Sequence, residues 1–343
     1  MTLSPPPSPA GGPSEPEPRP GEWQEINLDY ESLYARAASA AASGSLGELI
    51  SLAALSSVAV ARAVSEGGLE RTFLRSLERN PAAGMRLYRQ IRWHLNPELR
   101  RRFRSLLSKV ALRSGMRIAS LASGRSMRVL TRYEPGMDFD AEETIQRLIS
   151  SGKSLQGLTY EDIVGVRRVE RSRGAVIILD ASGSMTGGKI AAAALSAAVA
   201  AHLMRADEYA IVAFNTEPFV LKGVRDKTPI ERVIEEIMDL APLGYTNMRG
   251  ALEVALKQGA LIKRPDKRYV LITDGLYNVG GDPRSVARRL SGLNVIGVRG
   301  WGGRETAAGM RLCAELAKMG GGRFIELRSP QGVPTAVARI LES

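Results

Sequence analysis

The chain has 343 residues, 44% hydrophobic and 24% charged, with one cysteine, two histidines and a formal net charge of +11. That length accommodates about two domains with full cores, and the composition is ordinary for a soluble globular protein. The single cysteine excludes an intrachain disulfide framework, and with only His94 and His202 beside it the chain cannot assemble a His/Cys zinc cluster and has little material for a hydrolytic triad.

Residues Met1 to Gly21 hold eight of the eighteen prolines and little apolar material, which predicts a disordered leader over 1–22. This start lacks a basic stretch followed by an apolar core, so no secretion signal is expected. The longest apolar run, Leu49 to Ala61, is too short to span a bilayer. The sequence is therefore expected to give a cytoplasmic protein without a membrane association.

Residues 23–132 read as a basic α-helical domain. Tyr30 to Ser43 and Leu46 to Val64 are rich in Ala and Leu, with breaks at Gly44, Gly47 and Gly67-Gly68. Asn96 is a good N-cap, with Pro97 at the first helical position and Glu98 in the first turn. Leu99, Phe103, Leu106, Leu107 and Val110 then repeat at helical spacing and define one apolar face. From Arg71 to Arg132 sixteen Arg or Lys stand against Glu78 and Glu98, so this stretch carries +14 and the remainder of the chain −3. Such a run is either a solvated helix surface or a docking surface for an acidic partner or nucleic acid. Tyr88, Trp93 and Phe103 lie among the arginines where base stacking would need aromatics, although Phe103 belongs to the apolar stripe.

Residues 133–172 form a connector. Tyr133-Glu134-Pro135-Gly136 breaks the chain, acidic residues follow, Thr144 to Ile149 look helical, and Tyr160 to Val169 lead into the first strand. From residue 173 to 343 strands and helices alternate, which predicts an α/β fold with a doubly wound, mostly parallel sheet. The expected strands are Ala175 to Leu179, Tyr209 to Phe214, Tyr269 to Ile272, Val295 to Val298 and Arg323 to Leu327, with Glu217 to Lys222 as a short edge. Helices are expected over Lys189 to Met204, Pro229 to Asp239, Met248 to Ile262, Pro283 to Leu290, Glu305 to Met319 and Pro334 to Leu341. Cys313 falls in the fifth of these and reads as a small buried thiol, not a nucleophile.

Three distant pieces carry candidate chemistry: Asp180-Ala181-Ser182-Gly183-Ser184, Thr246 in Gly244-Tyr245-Thr246-Asn247, and Asp274 in Thr273-Asp274-Gly275. Two of them directly follow predicted strands, where open α/β sheets place ligand sites. Mg²⁺ or Mn²⁺ prefers oxygen donors in an octahedron and keeps several waters. Ser182 and Ser184, alternate residues of a tight turn, can aim two hydroxyls at one point, while Asp180 and Asp274 supply negative charge and hold water. One coordination position would stay open.

These three elements resemble the metal-ion-dependent adhesion site (MIDAS) of the von Willebrand factor A-type (VWA) family, and the similarity runs from about Arg173 to the C-terminus. The resemblance implies that Ser182, Ser184 and Thr246 touch the metal, that Asp180 and Asp274 act mainly through water, and that the open position accepts a partner's carboxylate. A metal that only braces the three loops is the structural alternative. The helical region, the Tyr133-Glu134-Pro135-Gly136-Met137-Asp138-Phe139-Asp140 run and the C-terminal position of the strands resemble the CoxE-like group. The C-terminal region is also similar to the VWA domain of the magnesium chelatase D subunit. By that analogy the protein is a non-enzymatic adaptor for a MoxR-type AAA+ ATPase supplied in trans, acting in complex assembly, remodelling or metal insertion.

Two alternatives belong to other classes. Residues Gly183 to Lys189 fit the Gly-x-x-x-x-Gly-Lys part of a phosphate-binding loop, but Ile190 stands where Ser or Thr must hold Mg²⁺. A Mg²⁺-dependent hydrolase would want further carboxylates near the first site, for which Asp282 and Glu217 are the available candidates. Nucleic-acid binding through residues 71–132 is the other alternative, and its affinity should fall steeply with salt.

Overall fold

The computed structural model describes residues 22–67, 71–122, 127–169, 173–183, 188–240, 244–299 and 304–343. The expected leader therefore lies outside the described residues, apart from its last position. Among the described residues six helices come first: α1 (Glu22–Ser43), α2 (Leu46–Leu55), α3 (Ser57–Gly67), α4 (Arg71–Arg79), α5 (Pro81–Ile91) and α6 (Pro97–Ala122). The Ala- and Leu-rich stretch Leu46 to Val64 forms two helices, parted at Ser56 and not at Gly47; Ser56 is extended (φ −147°, ψ 97°) and accepts the Ala59 N–H on its hydroxyl at 3.2 Å. A local serine cap thus competes successfully with helix continuation. Asn80 and Asn96 cap α5 and α6, accepting from Ala83 N at 3.1 Å and Leu99 N at 2.7 Å.

A small antiparallel sheet follows, which the sequence did not suggest. It contains β1 (Met127–Arg132) and β2 (Asp138–Phe139), and after helix α7 (Ala141–Ser150) the strand β3 (Val164–Val169) pairs with both in the order β1-β3-β2. The end of the connector therefore folds back on residues 127–132 before the main sheet begins. Asp140 caps α7 by accepting the Glu142 and Glu143 N–H groups, each at 3.1 Å.

The main unit runs β4 (Arg173–Asp180), α8 (Gly188–Leu203), β5 (Glu208–Phe214), β6 (Pro218–Lys222), α9 (Ile230–Asp239), α10 (Met248–Leu261) and β7 (Asp266–Thr273). It continues with α11 (Arg284–Ala287), β8 (Leu293–Val298), α12 (Arg304–Met319), β9 (Gly321–Leu327) and α13 (Val333–Glu342). Its six strands take the order β6-β5-β4-β7-β8-β9, all parallel except the edge strand β6. The helix expected over Pro283 to Leu290 is shorter: beyond Ala287 the Arg289 and Leu290 N–H groups bond three residues back, to Val286 and Ala287 carbonyls, so the last turn tightens.

The sheet is buried on both faces, as a parallel sheet must be. Alternation sends Val176 and Ile178 of β4 to one core, shared with α10, α11 and α12, and Ala175, Ile177 and Leu179 to the other. The second core is continuous with the six N-terminal helices. Its central member is α8, every residue of which from Ile190 to Ala200 is buried, because α9 and α13 flank it on the sheet and α6 packs across it. A helix apolar all round has no face to offer water.

The crossing of α6 with α8 depends on small residues. A Cβ at Gly115 would stand 2.7 Å from the Ala198 Cβ and 2.9 Å from its carbonyl carbon, so the two backbones touch there.

Candidate metal centre

The strand order places a topological switch point between β4 and β7. From β4 the chain crosses through α8 to β5 on one side, whereas β7 and the strands after it lie on the other. Loops leaving β4 and β7 diverge there and leave a crevice at the carboxyl ends, the usual ligand position of such sheets. Asp180 is the last residue of β4 and Thr273 the last of β7. The parallel register, with Leu179 opposite Ile272, makes the two neighbours.

Both Asp180 oxygens are engaged: Oδ1 accepts the Ser182 N–H at 2.9 Å and Oδ2 accepts the Thr273 hydroxyl at 2.6 Å. Ser182 also gives the Asp180 carboxylate a side-chain hydrogen bond. Asp180, Ser182 and Thr273 are all buried. Ser184, the next expected hydroxyl, lies outside the described residues.

Asp274 is the second buried carboxylate. Its Oδ1 accepts the Leu276 N–H at 3.2 Å, and its Oδ2 accepts the Lys189 ammonium at 3.2 Å. The turn behind it requires a glycine, since Gly275 has φ +79° and a Cβ there would fall 2.1 Å from the Gly309 carbonyl oxygen of α12.

Thr246, also buried, belongs to the loop that enters α10. Its N–H donates to Asn278 Oδ1 at 2.7 Å, and its carbonyl accepts the Asn278 and Val279 N–H groups at 3.3 and 3.4 Å. The Thr246 loop is thereby strapped to the loop that carries Asp274. On its other side Asn247 N–H donates to the Asn215 carbonyl at 2.8 Å, beyond the end of β5. Tyr245, next to Thr246, is largely exposed.

Electrostatically the crevice is short of positive charge. Burial, and then the neighbouring Asp274 carboxylate, push the Asp180 carboxyl up to about 6, against the hydrogen bonds from Ser182 and Thr273. Among the described residues no group of three or more His, Cys, Asp or Glu side chains is arranged to hold a metal ion. A cation here would have to rely on two carboxylates supplemented by hydroxyls and water. That all-oxygen donor set is chemically suited to a hard divalent ion and unsuited to a soft one. Cys313 is buried behind the site with its thiol pushed up to about 12, mainly by burial, so it is no thiolate nucleophile.

Three participants escaped the sequence reading of this site. Thr273 orients Asp180, Asn278 fixes Thr246, and Lys189 pairs with Asp274. Lys189 stood out only as the lysine of an incomplete phosphate-loop pattern, and nothing in local sequence signals the reach of Asn278 across 32 residues.

Residues 175–277 match the family model described as von Willebrand factor type A domain. A VWA domain is supported for this part of the chain. No curated protein matches the sequence. Among solved structures, similar ones include an aerotolerance-related membrane protein from Bacteroides fragilis, at 18% identity over 50% of this chain and 98% of that one, TM-score 0.39. Another is the vWF domain of the type V pili tip protein Mfa5 from Porphyromonas gingivalis, at 14% identity over 51% and 95%, TM-score 0.42. A third is proximal thread matrix protein 1 from the mussel byssus with a zinc-occupied MIDAS motif, at 16% identity over 50% and 48%, TM-score 0.40. No helix among the described residues is long and apolar enough to cross a membrane.

Proposed function

We propose that the VWA domain is a divalent-metal-dependent protein-interaction module and not an enzyme. The observation that carries this is the burial of Asp180, Ser182, Thr246 and Asp274 in hydrogen-bonded loops at one switch point. Ser182 and Thr246, with Ser184, would supply hydroxyl ligands to Mg²⁺ or Mn²⁺, while Asp180 and Asp274 would act mainly through water. The bound ion would supply a Lewis-acidic position for a glutamate or aspartate of the partner, with direct charge attraction in a partly dry setting.

By resemblance to the CoxE-like group and to the magnesium chelatase D subunit, the partner is a MoxR-type AAA+ ATPase acting in trans in the cytoplasm, with this chain as its adaptor. The N-terminal helices are an internal support for the domain in this proposal: Arg92, Arg100 and Arg104, three of the basic residues that suggested nucleic acid, face Asp239 and Glu235 of α9.

Calorimetry of the purified chain with Mg²⁺ and Mn²⁺ tests the metal. Binding that disappears in Ser182→Ala supports the site, and absence of heat with both ions overturns it. Capture of a MoxR-type ATPase in Mg²⁺ but not in EDTA then tests the adaptor role, and equal capture in both would overturn it.

A further inference from the structure

Lys189 is a charged group at the crevice that the proposed ligand set leaves unused. It enters from the first turn of α8, its side chain only 11% exposed, and its ammonium lies 3.2 Å from the Oδ2 of Asp274, whose side chain is 3% exposed. Asp180 stands beside them, its Oδ2 held at 2.6 Å by the hydroxyl of Thr273, the residue before Asp274. Three charged groups are therefore linked in one dry place: two carboxylates and one ammonium.

Their sum decides what the site accepts. Two carboxylates with Lys189 leave about one negative charge, which a divalent ion overshoots to about one positive charge. A single carboxylate from outside then returns the set to neutrality. Without Lys189 the divalent ion alone would already neutralise the two aspartates, and an incoming acid would make the set negative again. Uncompensated charge in a buried setting is unfavourable in either direction.

We infer that Lys189 is the residue that couples the ion to the acid: its ammonium holds metal affinity down until a partner carboxylate arrives, so that metal and acid bind cooperatively. This rests on the metal reading given above. Coupling of this sort is reciprocal, so the acid tightens the metal by the same factor as the metal tightens the acid. A partner with a neutral contact residue gains none of it, and Lys189 thereby selects for acidic partners. The geometry provides a flexible group for the task, since a lysine ammonium sits on a mobile four-carbon stem and takes part as a compact point charge.

The test is Mg²⁺ titration by calorimetry of the full chain, in chloride and in acetate at equal ionic strength, with acetate as the probe carboxylate. Wild type should bind Mg²⁺ more tightly in acetate than in chloride. Lys189→Met should bind Mg²⁺ about tenfold more tightly than wild type in chloride, and acetate should no longer help. Lys189→Arg keeps the charge and should keep the wild-type acetate response, which guards against mistaking a folding defect in the Met variant for loss of coupling. Unchanged Mg²⁺ affinity and unchanged acetate response in Lys189→Met would overturn the coupling role while leaving the metal site intact. Silence of the wild type toward Mg²⁺ in both buffers would overturn the metal reading itself, and the coupling with it.

Discussion

The Tyr88 hydroxyl donates to Asp239 Oδ1 at 2.9 Å, joining α5 to the C-terminal end of α9 across 151 positions of sequence. Asp239 is a hub: Arg104 donates to its Oδ2 at 2.5 Å, the Arg92 guanidinium lies 3.5 Å away and that of Arg100 4.0 Å. Arg92 is buried and also donates to the Met238 carbonyl at 2.9 Å. A carboxylate at a helix C-terminus is unfavourable alone, because the carbonyl end carries partial negative charge. Three arginines reverse that balance. Asp239→Ala should therefore cost about 2–4 kcal/mol in urea unfolding, mostly from leaving the buried Arg92 without its acid, since Arg104 keeps Glu235, whereas Tyr88→Phe should cost only about 1 kcal/mol. Equal costs for the two would mean that Asp239 is not the centre of the network.

Gly115 gives a sign reversal. In the interior of an exposed helix Gly→Ala stabilises by about 0.5–1 kcal/mol. At Gly115 the new methyl would meet Ala198 at 2.7 Å and the Val199 nitrogen at 3.0 Å, forcing α6 away from α8. Gly115→Ala should destabilise by about 1–3 kcal/mol in the same assay. At Gly47, where nothing lies within 4 Å of the added Cβ, the Ala substitution should be neutral or stabilising. Stabilisation by both would show that the helices do not pack through Gly115.

Much of the main sheet was legible because fully buried strands read as short apolar runs. Ala175 to Leu179 and Tyr269 to Ile272 announce β4 and β7 directly, and the acids that follow them end up at the switch point. Helix α8 is equally visible as a helix, and its lack of a polar side, from Ile190 to Ala200, implies a covering layer. What covers it could not be read locally. An arginine run on α6 looks the same in sequence whether it faces water or Asp239, since the deciding partner lies over a hundred residues away. The β1-β3-β2 sheet was missed for a related reason: β3 alternates weakly (Val164, Val166 against Gly165, Arg167), and its partners lie on the far side of α7.

Asn278 should behave as a positioning residue for Thr246. Its side-chain oxygen accepts the Thr246 N–H at 2.7 Å while its own N–H returns a bond to the Thr246 carbonyl at 3.3 Å. Asn278→Ala leaves a buried residue's N–H without that acceptor, at a cost of about 1–3 kcal/mol. Asn278→Asp keeps the acceptor and should recover most of the loss. If Thr246 contributes to metal binding, Asn278→Ala should also weaken Mg²⁺ in calorimetry and Asn278→Asp should restore it. A stability loss with unaltered Mg²⁺ affinity would confine Asn278 to a structural role.

Asp180 makes the metal-free protein sensitive to mild acid in an unusual direction. Its carboxyl ionises near 3.9 in an unfolded chain but is pushed up to about 6 in the fold, chiefly by burial and then by Asp274. Between those values the folded protein holds a proton that the unfolded one has released, so stability falls as pH rises from about 4 to about 6 and levels off above. At about 1.4 kcal/mol per unit the loss attributable to Asp180 is at most about 3 kcal/mol. Asp180→Asn removes the titration without removing the hydrogen-bonding shape, since the amide oxygen can still accept from Ser182 and its NH₂ can donate to Thr273. Urea unfolding in EDTA from pH 4 to 7 should therefore show the variant gaining on wild type as pH rises. Added Mg²⁺ should act in the opposite sense, with wild-type affinity increasing up to about pH 6 as protons stop competing for the carboxylate. A wild-type-minus-variant difference that stays flat over this range would mean that Asp180 is ionised throughout, and that the crevice is wetter than its burial indicates.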